Sequence, residues 1–132
     1  MKKEFISPRG VHATPSYSHA VKVGNVIYLA GHVGRDSNGE IVSGGMAVQT
    51  QQAFENLKKT LEAAGATLAD IVKLTIHVVD LDRMPDVREV RSRFLKQPMP
   101  ASTAVEVARL APGVLIEIDG IAVIDTHLRQ SD

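Results

Sequence analysis

The sequence predicts a two-layer domain of mixed α/β class, with two helices on one face of a mixed β-sheet. Three observations carry this. Two segments space their apolar residues three and four apart, as amphipathic helices do. Several other segments alternate apolar and polar residues, as half-buried strands do. The last two strands carry apolar side chains on both parities, so both faces of the sheet need cover. At 132 residues, the chain fits one domain with one core, spanning 1–132.

Taken in order, a short strand is expected near residues 3–6. Residues 20–23 and 26–30, AVKV and VIYLA, flank Gly24-Asn25 as a hairpin. Residues 46–64 read as a helix, with Ala47, Thr50, Phe54, Leu57, Leu61 and Ala64 on one stripe and Gly65 just beyond its end. In the stretch 70–80, DIVKLTIHVVD, Val72, Leu74, Ile76 and Val78 point one way and Lys73, Thr75 and His77 the other. A second helix runs from Pro85 to Leu95. Proline suits its first turn, Val87, Val90 and Phe94 form its buried stripe, and Pro98 and Pro100 stop it. Strands at 102–108 and 114–124 complete the order β-β-α-β-α-β-β. Residues 126–132 read as a frayed tail.

Two helices cover only one face of such a sheet. Val105, Val107, Leu115 and Ile121 fall on the parity opposite Ala104, Ile116 and Ile118. The second face is thus mixed and partly apolar, which predicts burial against other copies of the chain.

Composition narrows the function. Lys+Arg and Asp+Glu number 15 each, and aromatics are 4% of residues. That leaves neither the basic excess nor the stacking platform of a nucleic-acid binder. No apolar run approaches a membrane span, and MKKEFISPRG has no apolar core of a secretory signal, so the expected location is cytoplasmic. Cysteine is absent, which removes disulfides, thiolate catalysis and cysteine metal sites. None of the five histidines forms a helical i, i+4 pair or an HxH strand pair, so no metal site is expected.

The segments AGHVG (30–34), LKKTLEAAGATLADIVKLTIHVVDLD (57–82), PASTAVEVARLAPG (100–113) and IEIDGIAV (116–123) together resemble the Rid family (YjgF-type, reactive intermediate deaminases). The resemblance spans nearly the whole chain in order and spacing. It implies a chorismate-mutase-like fold, a homotrimer whose three sheets line a central barrel, and small-molecule clefts between subunits. The implied archetypal activity is hydrolysis of enamines and imines to carbonyl compounds and ammonia, with no metal or organic cofactor.

One departure stands out. Where the archetype has Pro-Ala-Arg, this chain reads Pro100-Ala101-Ser102-Thr103. The family arginine holds the substrate carboxylate at two points, and Ser102 cannot. A substrate other than 2-aminoacrylate is therefore expected.

The candidate catalytic residue is Glu117, which matches the family glutamate. A carboxylate beside a C=N carbon can deprotonate water or protonate the departing nitrogen. Its plain alternative is a strand glutamate facing solvent or paired with Lys73. The candidate binding residues are Tyr17, Gly31, Ser102, Thr103 and Arg88. Gly31 would offer close backbone approach, Tyr17 would close the cleft, and the two hydroxyls would donate hydrogen bonds. Arg88 and Arg91 lie three apart on one helix face, where the archetype carries Asn and Tyr. Either is a candidate anchor in place of the lost arginine, Arg88 being carried among the binding residues. A solvated basic face beside Arg93 and Glu89 is the simpler reading. His32, next to Gly31, is a candidate acid or base; His77 reads as structural. Hydrolytic deamination is thus the leading function. A non-catalytic trimer that binds a small metabolite is the alternative, and an endoribonuclease or translation inhibitor ranks last.

Overall fold

In the computed structural model, which describes residues 1–125, six strands form one mixed sheet. β1 (Lys3–Ile6), β2 (Ala20–Val23), β3 (Val26–Val33), β4 (Ile71–Val78), β5 (Ala101–Glu106) and β6 (Ile116–Val123) lie in the order β1-β2-β3-β6-β4-β5. Only β4 and β5 pair parallel; the other neighbours are antiparallel. Helices α1 (Met46–Ala63) and α2 (Met84–Phe94) follow β3 and β4. The expected tail, 126–132, lies outside the described residues.

The helices form where the stripes predict them. Phe54, Leu57 and Leu61 of α1 and Val87 and Val90 of α2 are buried, and the rings of Phe54 and Phe94 stack at 5.1 Å between the two helices. Single short turns lead into β4 and α2. In the first, the Thr67 amide donates to Asp70 Oδ2 at 2.8 Å; in the second, Asp80 accepts from the Asp82 amide at 2.9 Å. Ile27, Leu29, Leu74, Ile76, Val78, Ile116, Ile118 and Ala122 meet the helices as the sheet's share of the core.

Among the described residues, the opposite face carries no helix. Phe5 (68% exposed), Tyr28 (51% exposed), Val72 and Val105 stand on it. Cross-strand pairing of Phe5 with Val21, Val21 with Tyr28 and Tyr28 with Ile121 makes the apolar part continuous over four strands.

Three sequence expectations change. Val72 does not join Leu74 and Ile76 in the core: the pairing of β4 with β6 shifts register between Ile71 and Lys73, so Ile71 takes the buried position and Val72 is left outside. β3 runs on to Val33 rather than ending at Ala30, because its pairing with β6 resumes at His32 after a register shift beyond Leu29. Val107 and Leu115 fall outside the strands, and Leu115 packs on the edge of the core instead of the open face.

Candidate active site

The β3 irregularity builds the first half of the site. Glu117 of β6 lies opposite Val33 of β3 and His77 of β4, flanked by the fully buried Ile116 and Ile118. Its side chain crosses β3 at Gly31. A Cβ placed on Gly31 would stand 2.7 Å from Glu117 Cδ and Oε1. Only glycine leaves that space, so the carboxyl rests on bare backbone. Glu117 does not pair with Lys73, whose ammonium donates to Thr103 Oγ1 (2.8 Å) and the Leu74 carbonyl (3.1 Å).

Gly31 also borders a cleft of about 330 Å³, together with Tyr17, His19, His32, Arg35 and Asn56. Tyr17 is half exposed, and its ring lies 5.9 Å from that of His19. The rim is pinned from α1. Asn56 Nδ2 donates to the carbonyls of Val33 (3.0 Å) and Arg35 (2.8 Å). Gln49 Nε2 donates to Gly113 and its Oε1 accepts from the Leu115 amide, fixing the approach to β6. These two buried amides are positioning residues that the sequence reading missed. Their signal was available: they sit seven apart, on the side of α1 that also carries the buried Ala53 and Thr60.

His32 does not serve as the cleft's acid or base. It is 4% exposed, its Nδ1 donates to the Ala30 carbonyl at 2.7 Å, and its Nε2 accepts from the Thr60 hydroxyl at 2.8 Å. Burial pushes its pKa down to about 4; the Ala30 bond opposes this and nearby His19 adds to it. His19, also 4% exposed, donates from Nε2 to the His12 carbonyl at 2.9 Å, while its buried Nδ1 has no partner.

The second half of the candidate set lies elsewhere in the chain. Ser102 of β5 pairs with Leu74 and so sits on the helix side, where it lines a separate cavity of about 150 Å³. Thr103 pairs with Thr75 and projects from the open face. Strand alternation therefore splits the two hydroxyls that the sequence reading assigned to one cleft. Arg88 is exposed and does not line the cavity; Arg91 does. The reason is position along the helix: Arg91 lies in the last turn of α2, one turn from Leu95 at the same cavity, whereas Arg88 lies a turn further toward the N-terminus. Within one chain, then, Tyr17 and Gly31 border the cleft, Glu117 joins them through its seat against Gly31 without lining the cleft itself, and Ser102 lies beyond β4 at the sheet edge.

Gly31→Ala tests the first group. The atoms a new methyl meets are the end of a flexible side chain, so the carboxyl should swing aside while the fold persists. Misplacing a reacting group by about 1 Å can cost about 10²-fold. A drop of that order in turnover, with an unfolding midpoint within a few degrees of wild type, is expected.

Comparison with known proteins agrees on one family. Residues 9–124 match the family described as Endoribonuclease L-PSP. A RutC family protein of Pyrococcus abyssi is 47% identical over 107 residues, covering 80% of this chain and 84% of the relative. A 2-iminobutanoate/2-iminopropanoate deaminase of Dermatophagoides farinae is 37% identical over 128 residues, covering 91% and 100%. The crystal structure of RidA from the Antarctic bacterium Psychrobacter sp. PAMC 21119 superposes with a TM-score of 0.87 at 38% identity, covering 92% of this chain and 99% of that one.

Proposed function

The chain belongs to the Endoribonuclease L-PSP family, the Rid family of the sequence reading, and we propose that it hydrolyses a small enamine or imine to a carbonyl compound and ammonia. Its mixed sheet with two helices on one face is the chorismate-mutase-like fold of that family. The observation that carries the activity is the Glu117 carboxyl lying on the bare backbone of Gly31 at the border of the cleft.

That carboxylate takes a proton from water as the oxygen adds to the imine carbon, and the C=N π pair moves to nitrogen. The proton is then delivered to nitrogen, giving a carbon that carries both hydroxyl and amino groups; the hydroxyl proton passes by way of the same carboxylate to nitrogen as the C–N bond breaks, so the carbonyl forms and ammonia leaves. Water is the only co-reactant. Relatives named for 2-iminobutanoate and 2-iminopropanoate support the reaction type. Ser102 in the arginine position argues for a different imine, since losing a desolvated charged anchor costs about 2–5 kcal/mol.

The inter-subunit cleft of the family supports a homotrimer here, because the two groups of candidate residues do not meet within a chain and the helix-free face is apolar. Light scattering is expected to give three times the 14.2 kDa chain mass; a monomer or a stable dimer defeats that part. The activity is tested by generating imines with an amino-acid oxidase and following keto-acid release. Faster release with a longer imino acid than with 2-aminoacrylate is expected. No acceleration with any imine defeats the enzyme reading, and a rate on 2-aminoacrylate equal to that on every longer imine defeats the specificity.

A further inference from the structure

We infer that Arg91, with Ser102, forms an anion-binding subsite for the carboxylate end of a small keto or imino acid. The inference rests on the proposed reaction for the identity of the acid; the charge chemistry stands on the cavity itself.

Arg91 is half-buried on α2 and borders the 150 Å³ cavity. The other walls include Leu74, Leu95, Met99 and Pro100, and the only other polar side chain is Ser102. The guanidinium stays charged at any working pH and offers a planar fork of donors. A charge held against apolar walls is costly without a counter-ion. Among the described residues it has none: the ion pairs are His77–Asp119, Arg83–Asp86 and Arg93–Glu89. Arg83 and Arg93 are thus engaged, and Arg88 is exposed, where water solvates it. Arg35 borders the larger cleft, but its Nη1 donates to the Gly39 carbonyl at 2.7 Å, whereas Arg91 borders its cavity with no ion pair among the described residues.

The cavity says what fits. At about 30 Å³ per water in the liquid, it holds about five waters, which is room for a carboxylate and its adjoining carbons. A carboxylate accepts two N–H bonds from the fork, the Ser102 hydroxyl adds a third donor, and Leu74, Leu95 and Met99 receive the carbon chain. Because this anchor stands on α2 rather than on β5, it draws the carboxylate toward the helix. The cavity volume and its apolar walls leave room for a chain longer than three carbons.

The probe is 2-oxopentanoate, a stable keto acid, with the neutral 2-oxopentanamide beside it. Calorimetry is run on wild type and on Arg91→Gln, Arg91→Lys, Arg93→Gln and Glu117→Gln. Arg91→Gln is expected to weaken 2-oxopentanoate at least about tenfold, Arg91→Lys to weaken it less because charge persists without the fork, and Arg93→Gln to leave it within twofold. The amide should bind more weakly than the acid. Glu117→Gln should bind 2-oxopentanoate as wild type does while hydrolysing imines about 10²–10⁴-fold more slowly. If the folded Arg91→Gln or Arg91→Lys protein binds as wild type does, if the amide binds as well as the acid, or if wild type binds neither, the subsite is wrong. Binding as expected with no imine turnover overturns the deaminase reading alone; turnover without any Arg91 effect overturns the subsite alone.

Discussion

Glu117→Gln is expected to slow imine hydrolysis by about 10²–10⁴, the range that a positioned acid or base contributes. The substitution keeps the side-chain shape and its seat on Gly31 but removes the basic oxygen. Stability should hold, because Ile116 and Ile118 on either side are fully buried and the strand is paired along both edges. The effect should therefore fall on kcat, with product binding and the unfolding midpoint little changed. Coupling gives a sharper check. Gly31→Ala acts by displacing the same carboxyl, so in the Glu117→Gln background it has little left to remove. The double variant is expected near the Glu117→Gln rate rather than at the product of the two losses, as residues acting as a unit behave. A Gln variant within a few-fold of wild type, or fully multiplicative losses, makes Glu117 a structural residue.

Much of this arrangement is legible in the sequence where local rules decide. The α1 stripe reads correctly from Thr50 to Ala64 because its period and Gly65 act within one segment, though Ala47 in the first turn is exposed and Met46 is buried instead; Leu74, Ile76 and Val78 face the core as period two requires. What escapes is set by partners distant in sequence. Nothing local marks the slip at Ile71–Lys73, since a bulge is defined by the strand opposite, here β6. The β3 irregularity is of the same kind, and it is what brings Gly31 under Glu117. The separation of Ser102 from Thr103 was within reach, because adjacent strand residues always face opposite ways; the family motif drew them together on paper. Which of Arg88 and Arg91 borders the Ser102 cavity depended on where the end of α2 comes to rest beside β5, which packing settles. Buried Gln49, Asn56, His19 and His32 look like surface residues by type. They are tolerated inside because their polar atoms, His19 Nδ1 excepted, find backbone, threonine or glutamine partners.

His32 turns that buried network into a pH dependence of stability. Its pKa is about 4 in the folded chain against the ordinary 6.5, so between these values the unfolded chain binds more protons. Stability must then rise with pH across that window: it is complete above about 6.5 and lost as pH falls toward about 4. The linkage is worth about 3 kcal/mol, a large share of the stability of a small domain. The environment supports the sign. Protonating Nε2 would set an N–H against the Thr60 hydroxyl, which must then turn to accept, and would add charge 5.7 Å from the His19 ring inside the core. Carboxylates also titrate at the lower end of this range, so the informative quantity is a difference. Urea unfolding of wild type and His32→Gln should be compared at pH 7, 5.5 and 4.5 at one protein concentration, since assembly adds its own stability. His32→Gln is expected to be less stable at pH 7, because glutamine cannot fill the imidazole's place between Ala30 and Thr60. The gap should narrow by about 2–3 kcal/mol on acidification, because only the wild type loses the neutral imidazole. A gap that stays constant over the three pH values would show that His32 is protonated as readily folded as unfolded. A gap that closes on schedule also bears on catalysis: a ring with both nitrogens engaged and a pKa near 4 does not set the pH–rate profile at neutral pH.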